Sequence, residues 1–109
     1  MAIQQLTSID EMNQFVQQSG KYLLFKHSTT CPISAKAHEE FLAFVEDTDM
    51  SAAIVFVIED RPVSNQITEN LRIKHESPQV FLLEDGQVCW NTSHWKITRE
   101  ALKEAVGNE

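Results

Sequence analysis

Cysteine is scarce in this chain. Among 109 residues there are two, Cys31 and Cys89, too few for a disulfide framework. That points to a reducing compartment, and a cytoplasmic location is expected. Each cysteine is then to be read as chemistry or as core. Basic residues are outnumbered, with 9 Lys and Arg against 16 Asp and Glu and a formal net charge of -7. A nucleic-acid surface needs clustered Lys and Arg, so no nucleic-acid partner is expected. Apolar runs are only a few residues long, far short of the ~20 that cross a bilayer, and no membrane partner is expected. Met1 to Leu6 has neither the basic nor the apolar region of a signal peptide. Two cysteines and four histidines (His27, His38, His75, His94) lack structural-zinc spacing, so no metal is expected. Repeats, low-complexity segments and linker-like shifts are missing too. Residues 1–109 are therefore expected to form one domain.

What is present reads as α-β-α-β-α-β-β-α. Ser8 with Glu11 three residues later fits a capping box. Ile9, Met12 and Val16 keep one apolar face, and Gly20 is expected to end that helix. Lys21 to His27 reads as a strand, and its continuous apolar middle (Tyr22, Leu23, Leu24, Phe25) suggests cover on both faces. A second helix carries Ile33, Ala37, Phe41, Phe44 and Val45 on one side and should stop in Asp47-Thr48-Asp49. Ala52 to Ile58 is the next buried strand. Asp60-Arg61-Pro62 then opens a third helix with Val63, Ile67 and Leu71 on one face. This is a βαβ unit with parallel strands. Gln79 to Glu84 and Gln87 to Asn91 follow as a hairpin around Asp85-Gly86, a strong type I′ turn. Thr98 caps the last helix, with Ile97 and Leu102 placed as a hydrophobic staple. The expected architecture is α/β, a central four-stranded mixed sheet flanked by helices.

The chain is organised around Ser28-Thr29-Thr30-Cys31-Pro32-Ile33-Ser34, which joins the first strand to the second helix. With Cys31 at the N-cap, Pro32 falls at N1, where its fixed φ and missing N–H do no harm. The sulfur then faces the N–H groups around Ile33 and Ser34, and the positive helix end favours an anion there. A cysteine so placed should be reactive near neutral pH, with a lowered pKa. The flanking Ser28, Thr29, Thr30 and Pro32 are not core-like.

This element order, with a cysteine opening the helix after the first strand and a proline just before the hairpin, resembles the thioredoxin fold. Thr30-Cys31-Pro32-Ile33-Ser34 resembles the T-C-P-x-S site of the monothiol bacilliredoxins. Glu76-Ser77-Pro78-Gln79 matches the position of the thioredoxin-like cis-proline. The resemblance implies a thiol–disulfide oxidoreductase with no bound cofactor. Its co-substrate would be bacillithiol, a cysteine–glucosamine–malate thiol, and its partners bacillithiolated client proteins. It also implies that Ser77 and Pro78 wall the site opposite Cys31. Glutaredoxins, whose chemistry is similar, usually keep a lysine three residues before the cysteine; here that position is Ser28. Monothiol glutaredoxins can hold an iron–sulfur cluster between two subunits, but no residue signal here favours one.

Ser34 replaces the second cysteine of a Cys-x-x-Cys site. A hydroxyl can hydrogen-bond to a thiolate but cannot resolve a mixed disulfide, so a second thiol (bacillithiol or another protein) must reset Cys31. The alternatives are a redox-sensing binding module and a general disulfide reductase pairing Cys31 with Cys89. Geometry argues against the second. If Leu82 faces Cys89 on the hairpin, Cys89 lies about 13 Å along the sheet from Pro78, whereas a disulfide needs Cα atoms within about 7 Å. Cys89 is expected to be core. Lys26 and Lys36 are expected to be solvated, with the option of attracting the malate carboxylates. His27 and His75 flank the site and are candidates for steadying the thiolate or moving a proton. Trp90 and Trp95 are either core or part of a client-binding face. A monomer is expected.

Overall fold

The computed structural model describes residues 3–107; the first two and last two residues of the expected 1–109 domain lie outside them. In chain order the elements are β1 (Ile3–Gln5), α1 (Ile9–Val16), β2 (Lys21–His27), α2 (Pro32–Glu46), β3 (Ser51–Phe56), α3 (Arg61–Leu71), β4 (Gln79–Glu84), β5 (Gln87–Ser93), a 3₁₀ turn at His94–Lys96, and α4 (Arg99–Gly107). The sheet has five strands in the order β1-β3-β2-β4-β5. β1 and β2 run parallel to β3, while β4 runs antiparallel to β2 and β5 antiparallel to β4. The expected four-stranded sheet is thus corrected to five. The added edge strand β1 is three residues long and mostly exposed, too short to show a period.

Alternation along the strands builds two cores. Leu23, Phe25, Ile54, Val80 and Leu82 pack under α2 and α4 with Phe41, Phe44 and Leu102. Tyr22, Leu24, Val55, Phe81 and Leu83 pack under α1 and α3 with Met12, Phe15 and Ile67. β2 lies between β3 and β4, covered on both faces, so each of its residues from Tyr22 to His27 is buried. Such a strand reads as a continuous apolar run because neither face meets water.

The caps mostly follow the sequence. The Ser8 hydroxyl accepts from Glu11 N–H, and the Glu11 carboxylate takes the Thr7 N–H and hydroxyl in return. The Thr98 hydroxyl accepts from Ala101 N–H, with Ile97 and Leu102 both buried. Gly20 is a correction: α1 ends at Val16 with Gln17 as its cap, and Gly20, at φ +85, instead turns the chain into β2. There its N–H donates to Asp85 Oδ1 at 2.7 Å, so the β4–β5 turn is docked on the start of β2. Asp85 and Gly86 both have positive φ, as a type I′ turn requires.

The hairpin register contains a bulge. Leu82 pairs with Trp90 and Leu83 with Val88, so Cys89 is the extra residue and does not face Leu82. Cys89 is exposed, which corrects its expected place in the core. The strand is at the sheet edge and the bulge turns this residue outward. Among the described residues no helix is long and apolar enough to cross a membrane.

Candidate functional site

The turn between β2 and α2 is built as its residues dictate. Cys31 is the N-cap, with extended backbone (φ -105, ψ 122), and Pro32 opens the helix. The turn closes with Cys31 N–H on Ser28 C=O at 3.2 Å, and the helix starts with Ala35 N–H on Cys31 C=O at 3.0 Å. Cys31 is half-buried, whereas Thr30 and Pro32 are exposed. The Cys31 side chain makes no capping hydrogen bond.

Ser34 is fully buried. Its Oγ accepts from Ser28 N–H at 2.8 Å and meets His27 Nδ1 at 2.7 Å. Its hydrogen-bond partners are thus the start of the turn and the end of β2. His27 is buried too, its ring stacked on His38 at 4.4 Å and on Phe25 at 5.7 Å. Burial, helped by the nearby His38 and opposed by Glu59, pushes the His27 pKa down to about 4. Burial lowers that of His38 as well. One sequence signal for this burial existed: Ser34 precedes Ala37 and Phe41 by three and seven residues, on the apolar stripe of α2.

The second half of the site comes from β4. Its ladder with β2 ends at Lys26 opposite Gln79, which carries Pro78 alongside the end of β2 and the start of the Cys31 turn. The Ser77–Pro78 bond is cis, as the resemblance implies. The loop before Pro78 is held from inside: buried Gln79 donates to Lys74 C=O at 3.0 Å and accepts from Glu76 N–H at 3.2 Å. Pro78 C=O accepts from His94 N–H at 3.1 Å. The 3₁₀ turn is thereby fastened to the proline, and Trp95 is left two-thirds exposed. Between α2 and this turn lies a largely apolar groove of about 160 Å³, lined by Ile33, Lys36, Ala37, Glu40, Trp95 and Ile97 among others. Trp90, in contrast, packs partly buried against the α2–α4 core.

Lys26 is the largest departure from expectation. It is fully buried, not solvated, because β2 pairs on both sides through this residue and its side chain falls on the α3 face. Its Nζ donates to Thr68 Oγ1 at 2.8 Å and to His75 Nδ1 at 3.1 Å. Burial pushes its pKa down to about 8. Burial also lowers that of His75, with Lys26 and Arg61 acting in the same direction. Lys26 therefore offers no surface charge to a ligand. Lys36 does lie at the surface, 3.6 Å from Glu40. Among the described residues no three His, Cys, Asp or Glu side chains gather as a metal site.

The arrangement is a half-exposed thiol at the start of α2, just past the end of β2, and a cis-proline just before β4, whose first residue pairs with that same end of β2. Cys89 sits at the bulge of an edge strand, away from that end of the sheet.

Comparison with known proteins agrees with this geometry. The family model described as monothiol bacilliredoxin BrxC matches residues 4–102. A solved structure described as a candidate oxidoreductase with a thioredoxin fold is 36% identical and superposes with a TM-score of 0.90, over 95% of this chain and 93% of that one. Thioredoxin from Fasciola hepatica superposes at 0.79 with 11% identity, over 97% and 98% of the two chains. Mitochondrial thioredoxin 3 from Saccharomyces cerevisiae superposes at 0.76 with 18% identity, over 98% and 95%. These two share the fold alone. With the family model spanning nearly all of the described residues, and a half-exposed cysteine at the start of α2, the chain belongs to the monothiol bacilliredoxin family.

Proposed function

We propose that this protein removes bacillithiol from protein mixed disulfides by a monothiol mechanism through Cys31. The observation that carries the reading is the Cys31 turn itself: a half-exposed cysteine caps α2, and the place of a second thiol is taken by buried Ser34. Family membership supports the same chemistry. The Cys31 thiolate attacks the bacillithiol sulfur of the modified client. The old S–S bond breaks, the client leaves as a thiolate that takes up a proton, and Cys31 holds bacillithiol as a new disulfide. Cys31 is oxidised to the disulfide level as the client cysteine is reduced to a thiol, so the step balances with no outside oxidant or reductant. A second thiolate, from bacillithiol or another thiol protein, then attacks the Cys31 adduct and restores it, carrying the bacillithiol away as a disulfide. Thr30 and Pro32 shape the turn. Ser77 and Pro78 form the opposite wall, where the Ser77 backbone can align the incoming disulfide. The protein works as a cytoplasmic monomer on this reading.

The test is intact-mass analysis after mixing the reduced protein with a bacillithiolated client, for wild type and Cys31→Ala. Gain of one bacillithiol at Cys31 with release of the client supports the mechanism. A wild type that loses two hydrogens and gains no adduct would show that Cys89 resolves Cys31. No transfer at all would leave a binding or redox-sensing module.

A further inference from the structure

Beyond the nucleophile, we infer that His27 and Ser34 act together as positioning residues that latch the Cys31 turn onto the end of β2; the inference deepens the reading of Cys31 given above and rests on it. The latch has three points. Ser28 N–H donates to Ser34 Oγ at 2.8 Å, which ties the start of the turn to the first turn of α2. The Ser34 hydroxyl meets His27 Nδ1 at 2.7 Å, which ties α2 to β2. Cys31 N–H on Ser28 C=O closes the loop between them.

Hydrogen counting sets the direction of the middle bond. Ser34 Oγ already accepts from a backbone N–H, so its own proton is available to donate, and a neutral imidazole supplies the acceptor at Nδ1. His27 then carries its proton on Nε2. The imidazole is packed by three other rings. Phe25 on its own strand and His38 on α2 stack on it, and Phe56 on β3 tilts against it at 5.8 Å. His38 and Glu59 are the titratable groups that act on it. The Ser34 hydroxyl is therefore committed to His27 and Ser28 and reaches Cys31 through the turn it fixes.

Three variants test this. His27→Phe keeps a ring in the stack but removes the acceptor. Ser34→Ala removes the hydroxyl. His27→Asn restores a polar atom near the Nδ1 position. The readout is the rate of Cys31 alkylation by iodoacetamide across pH, in the Cys89→Ala background so that one thiol is seen, with circular dichroism and melting curves confirming that each variant folds. His27→Phe and Ser34→Ala should each displace the pH profile and lower the rate at pH 7 roughly fivefold, the scale of one hydrogen bond. The double variant should lose no more than either alone, since both changes break one unit, and His27→Asn should recover most of the loss. Unchanged profiles, or losses that add in the double variant, or an Asn variant as slow as the Phe variant, each overturn the latch. Alkylation needs no bacillithiol. A wild type inactive on bacillithiolated clients but showing these shifts keeps the latch and rejects the proposed function; the reverse pattern does the opposite.

Discussion

Lys26 and His27 are adjacent in β2, and both are bases whose charged forms burial disfavours. Among the described residues the Lys26 ammonium meets neutral partners, Thr68 and His75, with no carboxylate among them to offset its desolvation. Its pKa in the folded chain is about 8, below the ordinary value of 10.5. Between those values the unfolded chain binds more protons than the folded one, so stability rises with pH across that window, and the cost is present in full below pH 8. Lys26→Met should therefore be more stable than wild type at pH 7, by on the order of 1–3 kcal/mol, and the advantage should shrink from pH 8 to 10.5. Denaturant titrations at pH 7 and pH 10 check it; an equal gap at both would sink the assignment. His27 works at the acid end. Its pKa falls from 6.5 to about 4 on folding, so the unfolded chain again binds more protons, now between pH 4 and 6.5. Stability present above pH 6.5 is lost as pH falls through that window. His27→Phe should melt with a shallower acid dependence, the residual slope coming from His38 and His75, which are lowered too, and near pH 4 from the Glu11 and Glu40 carboxylates. Melting temperatures at half-unit steps from pH 7 to 4 give the two slopes.

At the scale of elements, the β4–β5 turn is the clearest case of residues dictating backbone. Gly86 sits at φ +87, and an added Cβ would stand 3.4 Å from Val16 C=O. Gly86→Ala should cost about 1 kcal/mol by forcing a side chain into the left-handed region, leaving Cys31 alkylation untouched because the turn is at the far end of β4 from Pro78. An equal fall in alkylation rate would show that the hairpin communicates with the site. This turn was legible as Asp85-Gly86, as were the Cys31 and Thr98 caps, because each is set by local chemistry. The edge strand β1 was not legible: with three residues, pairing alone makes it a strand. Cys89 was misplaced for a related reason. A bulge shifts alternation by one residue, and no residue type in Gln87-Val88-Cys89-Trp90 announces it. Lys26 was misread because a polar residue at the end of an apolar run looks like the strand leaving the core. Here β2 continues between two neighbours, and a polar side chain is buried because the backbone is. Ser34 was legible as a residue of the first turn of α2, but its partners, Ser28 and His27, were not, since the link to His27 joins residues on different elements.

At the scale of the whole molecule, the sheet decides which cysteine can do what. The end of the sheet where β2 and β5 finish and β4 begins leads into the Cys31 turn, Pro78, and the 3₁₀ turn with His94 and the exposed Trp95, whereas the bulge holds Cys89 on β5. From Gln79, beside the site, to Leu82 and Leu83, which bracket that bulge, is three to four residues, about 10–13 Å along β4. β5 is also two strands away from β2, at about 4.8 Å per strand. No approach within the ~7 Å a disulfide needs follows without dismantling the hairpin, and the hairpin is fastened at both ends, by Asp85 on Gly20 and by His94 on Pro78. Cys89 should therefore react readily with external thiol reagents yet take no part in transfer. Cys89→Ala should turn over bacillithiolated clients at the wild-type rate within about twofold, and diamide-treated wild type should show no internal Cys31–Cys89 bond by peptide mapping. A several-fold loss in the variant, together with that bond in the wild type, would mean that β5 leaves the sheet during the reaction, and the monothiol mechanism would give way to a two-cysteine one.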